Sequence, residues 1–286
     1  PFSGAMDKRN YLISNTLVGN KSDLTSIEFA YQGPLLKFIG EKTSVSVTGD
    51  VNFNIIRKSS KINQGECYQS YELEGGDQID ILSTNNSVYG YFSATGSFDV
   101  EYIWGSSSVN TRAKIGPNKG EKFSKNQKIY LKNHKSSFNK KKLNYFNSKI
   151  EYIRVLKGTN YNYFSDKSKK IFFSKEFIIS KLTDRMGMRL EGNKIESILE
   201  TNIRSEGLIK GVIQVPPDGN PIIMLSDHGT IGGYPKIAVV ISADYDRLVQ
   251  IPPGSKIKFK PVELIEAENL YKLYKIETEN ILKKII

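Results

Sequence analysis

Cysteine, histidine and long apolar runs are scarce in this chain, and each shortage removes a class of function. The single cysteine, Cys67, cannot build an internal disulfide framework and fits a reducing compartment, so a cytoplasmic protein is expected. Two histidines, His134 and His228, with one thiol cannot supply a zinc site of the usual kind, and no metal is expected. No run approaches the roughly 18 apolar residues that a membrane-spanning helix needs. There is no Walker A lysine in a glycine-rich loop and no dinucleotide fingerprint. The chain opens at Pro1 without a methionine or a visible signal peptide, so a natural N-terminal segment is expected to be missing.

What is present describes an ordinary globular chain. Its 286 residues suffice for one large or two modest domains. The 41 basic residues exceed the 30 acidic ones, which raises the question of nucleic acid. The excess falls at Lys135–Lys149 and Lys167–Lys170, among Asn and Ser, with no recognition motif. A solvated lysine-rich surface is the stronger reading, and neither a nucleic-acid nor a membrane partner is expected.

Periodicity points to strands. Ser26–Ala30, Leu35–Ile39, Ser44–Val47, Val51–Ile56 and Gln78–Leu82 are short alternating segments bounded mostly by Gly, Asp, Asn or Ser, and Val88–Phe92, Phe98–Ile103 and Lys125–Leu131 continue the pattern. Asp7 is placed to cap a helix carrying Tyr11, Leu12 and Leu17, with Asn10 at N3. Ile150–Leu156, Met186–Leu190, Gly211–Val215, Pro221–Leu225, Ala238–Ile241 and Lys256–Pro261 read as further strands. Tyr161–Tyr163 and Lys175–Ser180 are ambiguous, with a short helix followed by a strand as the expectation. Val262–Ile286 reads as a mainly helical tail. The expected fold is mainly β, in two barrel-like subdomains with few helices. An N-terminal subdomain over 1–134 is joined by a linker at 135–149 to a second subdomain over 150–286.

The stretch from Ser205 to Pro235 is the most informative. Two short apolar runs, Gly211–Val215 and Pro221–Leu225, sit among glycines and prolines, and a few polar residues are trapped between the turns. Gln214 lies in an apolar strand, where a buried amide must be satisfied at both ends. It either bonds a neighbouring turn or recognises a substrate amide. Asp227–Tyr234 is a glycine-rich loop after a strand, either an anion nest or a plain connection. His228 is better read as a turn residue than as a base, since no nucleophile is placed beside it. Arg185 and Arg189, in Thr183–Arg189, either bind an anion through the guanidinium fork or pair with Asp184, Glu191 or Glu206 as struts.

Blocks of sequence carry a resemblance. SGAMD at Ser3–Asp7, TLVGN at Thr16–Asn20, TDRMGMRLEG at Thr183–Gly192 and the two halves of Ser205–Pro235 occur in one order. The chain resembles the KipA-like family, also called allophanate hydrolase subunit 2 or the C subunit of the ATP-dependent 5-oxoprolinase. This family is related to the carboxyltransferase region of urea carboxylase, here expected to be its subdomains C and D. The resemblance runs to about Pro253 and implies that at least one subdomain is cyclophilin-like.

That resemblance implies part of an enzyme that hydrolyses 5-oxo-L-proline to glutamate, inactive alone, working with a KipI-like B subunit and a LamB/YcsF-like A subunit. The poor electrophile would be activated by phosphorylation of the lactam oxygen, with ATP bound mainly by a partner. It moves Arg185 toward a catalytic role beside Glu206. Gln214, Asp227, Thr230, Gly232, Gly233, Tyr234 and Arg189 are the expected substrate contacts. Two alternatives stand beside it, a KipA-type regulatory protein and a biotin-dependent carboxyltransferase-like module, although no biotin-attachment motif is present. The chain departs from relatives at Gly229, Thr230 and Ile231, where they often carry Gln-Thr-Thr. It departs again at Ser107, where they usually have Arg; Arg112 is the nearby candidate to replace it.

Overall fold

Val51–Ile56 shows how the pattern becomes structure. In this computed structural model, which describes residues 3–132, 139–145, 150–199 and 202–285, the segment is a strand whose side chains alternate between buried and half-buried. The chain divides into two compact units, Asp7–Asn147 with Ile276–Ile286, and Pro1–Met6 with Ser148–Lys275. The linear division expected above takes no account of these exchanged terminal segments. The expected linker lies largely outside the described residues. Of its described part, Lys141 and Leu143 are hydrogen-bonded through their backbones to Ser70 and Tyr68. Among the described residues there are four α-helices, none long and apolar enough to cross a membrane.

The unit built on Asp7–Asn147 holds two four-stranded antiparallel sheets. One runs in the order Ile27–Ala30, Tyr89–Ala94, Lys42–Thr48, Ser70–Glu74; the other in the order Leu35–Lys37, Gln78–Thr84, Val51–Ile56, Ile62–Gln64. Val45, Val47 and Phe92 of the first share one buried cluster with Phe53, Ile79 and Ile81 of the second. The helix Lys8–Leu17 begins where expected, with the Asp7 carboxylate accepting from the Asn10 N–H at 3.0 Å. Its Ser14 hydroxyl bonds Ser93 and Ser46 on the first sheet.

Two expected strands are corrected here. Only Ser97–Phe98 and Leu131–Lys132 pair, and Asp99–Tyr130 leaves the sheet as one long excursion. Trp104 and Gly105 turn the chain back on itself at positive φ, so the alternation at Phe98–Ile103 does not extend a ladder.

The second unit is built on an eight-stranded sheet. Its order is Lys256–Ile257, Phe177–Ile179, Gly187–Gly192, Ile222–Met224, Val212–Gln214, Lys236–Val240, Ile153–Lys157, Phe259–Pro261. The two edge strands are separated only by Lys258, so one continuous segment contributes to both edges and the sheet curls into a nearly closed barrel. Met188, Ile223, Ile213 and Ala238 are successive cross-strand partners, all buried, and mark the barrel interior. Lys175–Ser180 resolves into the strand Phe177–Ile179, and Tyr161–Tyr163 into a 3-10 turn.

Two helices lie where none was read. Ser165 caps Asp166–Ser174, whose Phe172 stacks on Phe259 at 4.5 Å, and Ser242–Val249 follows the strand Lys236–Val240. Both are short, and lysines mask the apolar face of the first. The C-terminal helix Leu264–Lys283 confirms the expected tail.

Candidate functional site

Side chains on neighbouring residues of a strand face opposite ways, so the row next to the barrel interior faces outward. That row is Arg189, Ile222, Gln214 and Lys236, cross-strand partners in turn, with a bulge between Ile213 and Gln214. A two-stranded ribbon, Glu206–Gly207 paired with Ile231–Gly232, accompanies it. Leu208, beside the ribbon, joins Val212 and Met224 in a small apolar cluster on that outer side.

The ribbon approaches closely at Gly232. A Cβ there would stand 2.6 Å from Gln214 Nε2 and 2.8 Å from Leu208 Cδ1, so a larger residue would displace the ends of both side chains. Gln214 is buried and donates through Nε2 to the Tyr234 carbonyl at 3.2 Å. Lys236 is buried too, and its Nζ donates to Glu206 Oε2 at 2.8 Å. The pair is unequal: the lysine side chain is 4% exposed and the glutamate 46%. An ammonium carries three donors, and Glu206 is the one acceptor that reaches this one among the described residues. Glu206 is therefore the side of the pair that solvent reaches, and the cation and the Gln214 amide are its buried side.

Arg185 occupies a second cluster. Its Nε and Nη2 both reach the Asp227 carboxylate at 2.9 Å, and Nη2 also donates to the Gly4 carbonyl at 2.7 Å. Ser3 Oγ donates to the same carboxylate at 2.8 Å, and the Ser3 N–H bonds the Ser226 carbonyl. Ser3 and Gly4 have φ of 51° and 86°, so the opening of the SGAMD block is a left-handed turn tied down by Arg185 and Asp227. The partner of Arg185 is thus Asp227. Asp184, the neighbouring candidate, instead accepts from the N–H groups of Met186 and Gly187.

The remaining expected residues fall as follows. Thr230 is exposed and offers its carbonyl to the Leu208 N–H. Gly233 accepts from the Ile203 N–H, and Tyr234 contributes its carbonyl to Gln214 with a part-exposed ring. Arg189 faces the turn at Asp218, whose carboxyl lies below its usual range. There burial pushes the value up, and the Asn220 hydrogen bonds, with the charges of Lys194 and Arg189, outweigh it. The structure brings together Glu206, Gln214, Gly232 and Tyr234, and separately Arg185 and Asp227. His228 sits in the turn after Leu225, buried, with Nδ1 2.6 Å from the Gly229 carbonyl.

No anion nest forms at Asp227–Tyr234. Such a nest needs alternating right- and left-handed residues, and none of Gly229, Gly232 or Gly233 has positive φ. The segment does not fit a phosphate cradle. Lys236 was missed: it stands one residue past Pro235, and the signal was a lysine opening the apolar strand KIAVV.

Comparison with known proteins places the chain in a family. Residues 1–261 match the family model described as carboxyltransferase domain, subdomain A and B, which corrects the expectation of subdomains C and D. The chain is 31% identical to a protein of Haemophilus influenzae named as the C subunit of 5-oxoprolinase, over 97% of this chain and 88% of that one. A protein of the same name from Escherichia coli is 29% identical, over 92% of this chain and 84% of its own length. The solved urea amidolyase of K. lactis shares the fold with a TM-score of 0.86 and 23% identity, over 98% of this chain. This chain spans only 18% of that longer one.

Proposed function

The chain belongs to the carboxyltransferase domain family, subdomain A and B, and from that membership we propose that it is the C subunit of an ATP-dependent 5-oxoprolinase. The reading assigns it the binding and orientation of 5-oxo-L-proline. The overall reaction opens the lactam C–N bond with water to give glutamate, coupled to hydrolysis of ATP to ADP and phosphate. The observation that carries the reading is near full-length similarity to the two 5-oxoprolinase subunits, joined to a buried cation and amide of the right type.

5-Oxoproline presents a carboxylate and a lactam, and the row Gln214–Lys236 offers a complement to each. When Glu206 turns outward, the Lys236 ammonium receives the carboxylate, a charge-assisted contact strengthened by burial. The Gln214 amide, held by the Tyr234 carbonyl, stands beside it for the lactam. Gly232 keeps the ribbon close enough to exclude water from both. Arg185 positions the Ser3–Gly4 turn through Asp227 and touches no reacting atom. Because the glycine-rich loop is no phosphate cradle, ATP is assigned to the partners, a KipI-like B subunit and a LamB/YcsF-like A subunit.

The test is co-expression with those partners and measurement of oxoproline-dependent ATP hydrolysis. The complex should turn over, the isolated chain should not, and Lys236→Met should raise KM for oxoproline at least tenfold. Strong turnover by the isolated chain, or no coupling of ATP hydrolysis to oxoproline in the complex, refutes the reading. The family match favours one second reading, carboxyl transfer from a biotin carried by another protein. Decarboxylation of a carboxybiotin carrier by the complex would select it.

A further inference from the structure

The unit Asp7–Asn147 carries a feature that this site does not use. Asp99–Tyr130 leaves the sheet as a single excursion, closed at its base by the pairs Phe98–Leu131 and Ser97–Lys132. Loops of this length without regular structure are uncommon in compact domains, and ordered ones are usually functional. This one is ordered by its own bonds. Asn110 and Ile115 exchange backbone hydrogen bonds, and Asn118 Nδ2 donates to the carbonyls of Glu121 and Lys122. Five of the nine left-handed non-glycine residues in the described chain fall inside it, three of them not Asn, so its turns store backbone strain.

Its tip is the telling residue. Ile103 and Ser106 bond each other through both backbone groups, at 2.9 and 3.0 Å, enclosing Trp104 and Gly105 at φ of 52° and 76°. A two-residue turn with both φ positive selects Asn-Gly, and a bulky side chain at its first position is an outlier. Yet the only tryptophan of the protein stands there, 85% exposed. It costs the turn stability and buries almost nothing in return. In the same excursion Tyr102, Phe123 and Tyr130 are also exposed. From 99 to 130 the chain carries six basic side chains, Arg112, Lys114, Lys119, Lys122, Lys125 and Lys128, against three carboxylates, Asp99, Glu101 and Glu121, of which Lys132 pairs the first and Lys114 the last.

We propose that this excursion is the docking surface for an acidic face of a protein partner, with Trp104 as the apolar anchor. The inference rests on the reading above that the chain works in a heteromer. An exposed aromatic held on a strained turn, in a segment with an excess of basic residues, has the composition of an interface hot spot with an electrostatically steered rim. A single nucleic-acid strand is the less favoured occupant. Among the described residues none of these aromatics stacks on another, so no track for successive bases is formed.

The test measures Kd and the association rate between the full chain and its co-purified partners by surface-based kinetic binding at low and high salt, with the melting temperature of each variant. Trp104→Asn should weaken binding about 30-fold, the equivalent of a 2 kcal/mol hot spot, while melting at or above the wild-type temperature. The triple variant K122E/K125E/K128E, whose lysines make no ion pair among the described residues, should slow association about tenfold at low salt. Wild-type affinity in both variants overturns the surface and leaves the heteromer standing. Absence of any wild-type complex overturns both. Tight binding of a single-stranded oligonucleotide that Trp104→Asn abolishes reassigns the surface to nucleic acid.

Discussion

Lys236 and Glu206 form one ion pair, but removing either partner should have unequal consequences. Glu206→Gln leaves a buried ammonium facing a neutral amide. Lys236→Met leaves a half-exposed carboxylate that water solvates, and fills the same space with a chain of similar length. Breaking a fully buried pair costs about 3–5 kcal/mol. Here the carboxylate is already 46% exposed and glutamine still accepts a hydrogen bond, so the cost of Glu206→Gln is reduced to about 1.5–2.5 kcal/mol. Lys236→Met also removes a desolvation penalty and should stay within about 1 kcal/mol of wild type. The assay is urea denaturation followed by far-ultraviolet circular dichroism, because the single tryptophan lies in the other unit and does not report on this one. The order of midpoints should be wild type and Lys236→Met above Glu206→Gln. If Lys236→Met is the less stable variant, or if neither differs from wild type, burial of the lysine does not govern the pair.

Two further outcomes concern titration in the unit built on Asp7–Asn147. Burial raises the Asp77 carboxyl, but the Glu74 N–H, the Arg57 guanidinium and the Lys58 N–H outweigh it and hold the group below the 3.8 of the unfolded chain. A depressed folded value stabilises above 3.8 and is lost as pH falls through it, so Asp77→Asn should lower stability at pH 7 and flatten the acid limb of the pH–stability curve. An unchanged limb would refute this. Burial pushes the Cys67 thiol from 9.0 up to about 11, with Sγ donating to the Val51 carbonyl. At pH 8 its thiolate should be about 100-fold scarcer than that of an ordinary thiol, and a disulfide reagent should react correspondingly slowly until the protein is unfolded. Equal native and unfolded rates would overturn the assignment.

Some of this protein was determined by local sequence alone. Asp7 with Asn10 three residues on is a complete helix cap, and Val51–Ile56 alternates because one face of that strand is buried, so both are legible one residue at a time. The glycines at 232 and 233 marked a place where backbone approaches closely, which the structure places against Gln214 and the Ile203 carbonyl. What approaches them was not legible. Lys236 reads as a charge at the start of an apolar strand, and only the row of four cross-strand partners turns it toward Gln214 and under Glu206. Arg185 reads either as an anion-binding guanidinium or as a strut to Asp184, Glu191 or Glu206, and only the fold brings Asp227 and the Ser3–Gly4 turn, far away in sequence, to occupy its fork. The excursion at Asp99–Tyr130 reads as strand at both ends because alternation is necessary for a ladder and not sufficient. A strand exists only where a neighbour supplies its hydrogen bonds, and that is decided by which segments the tertiary fold sets side by side.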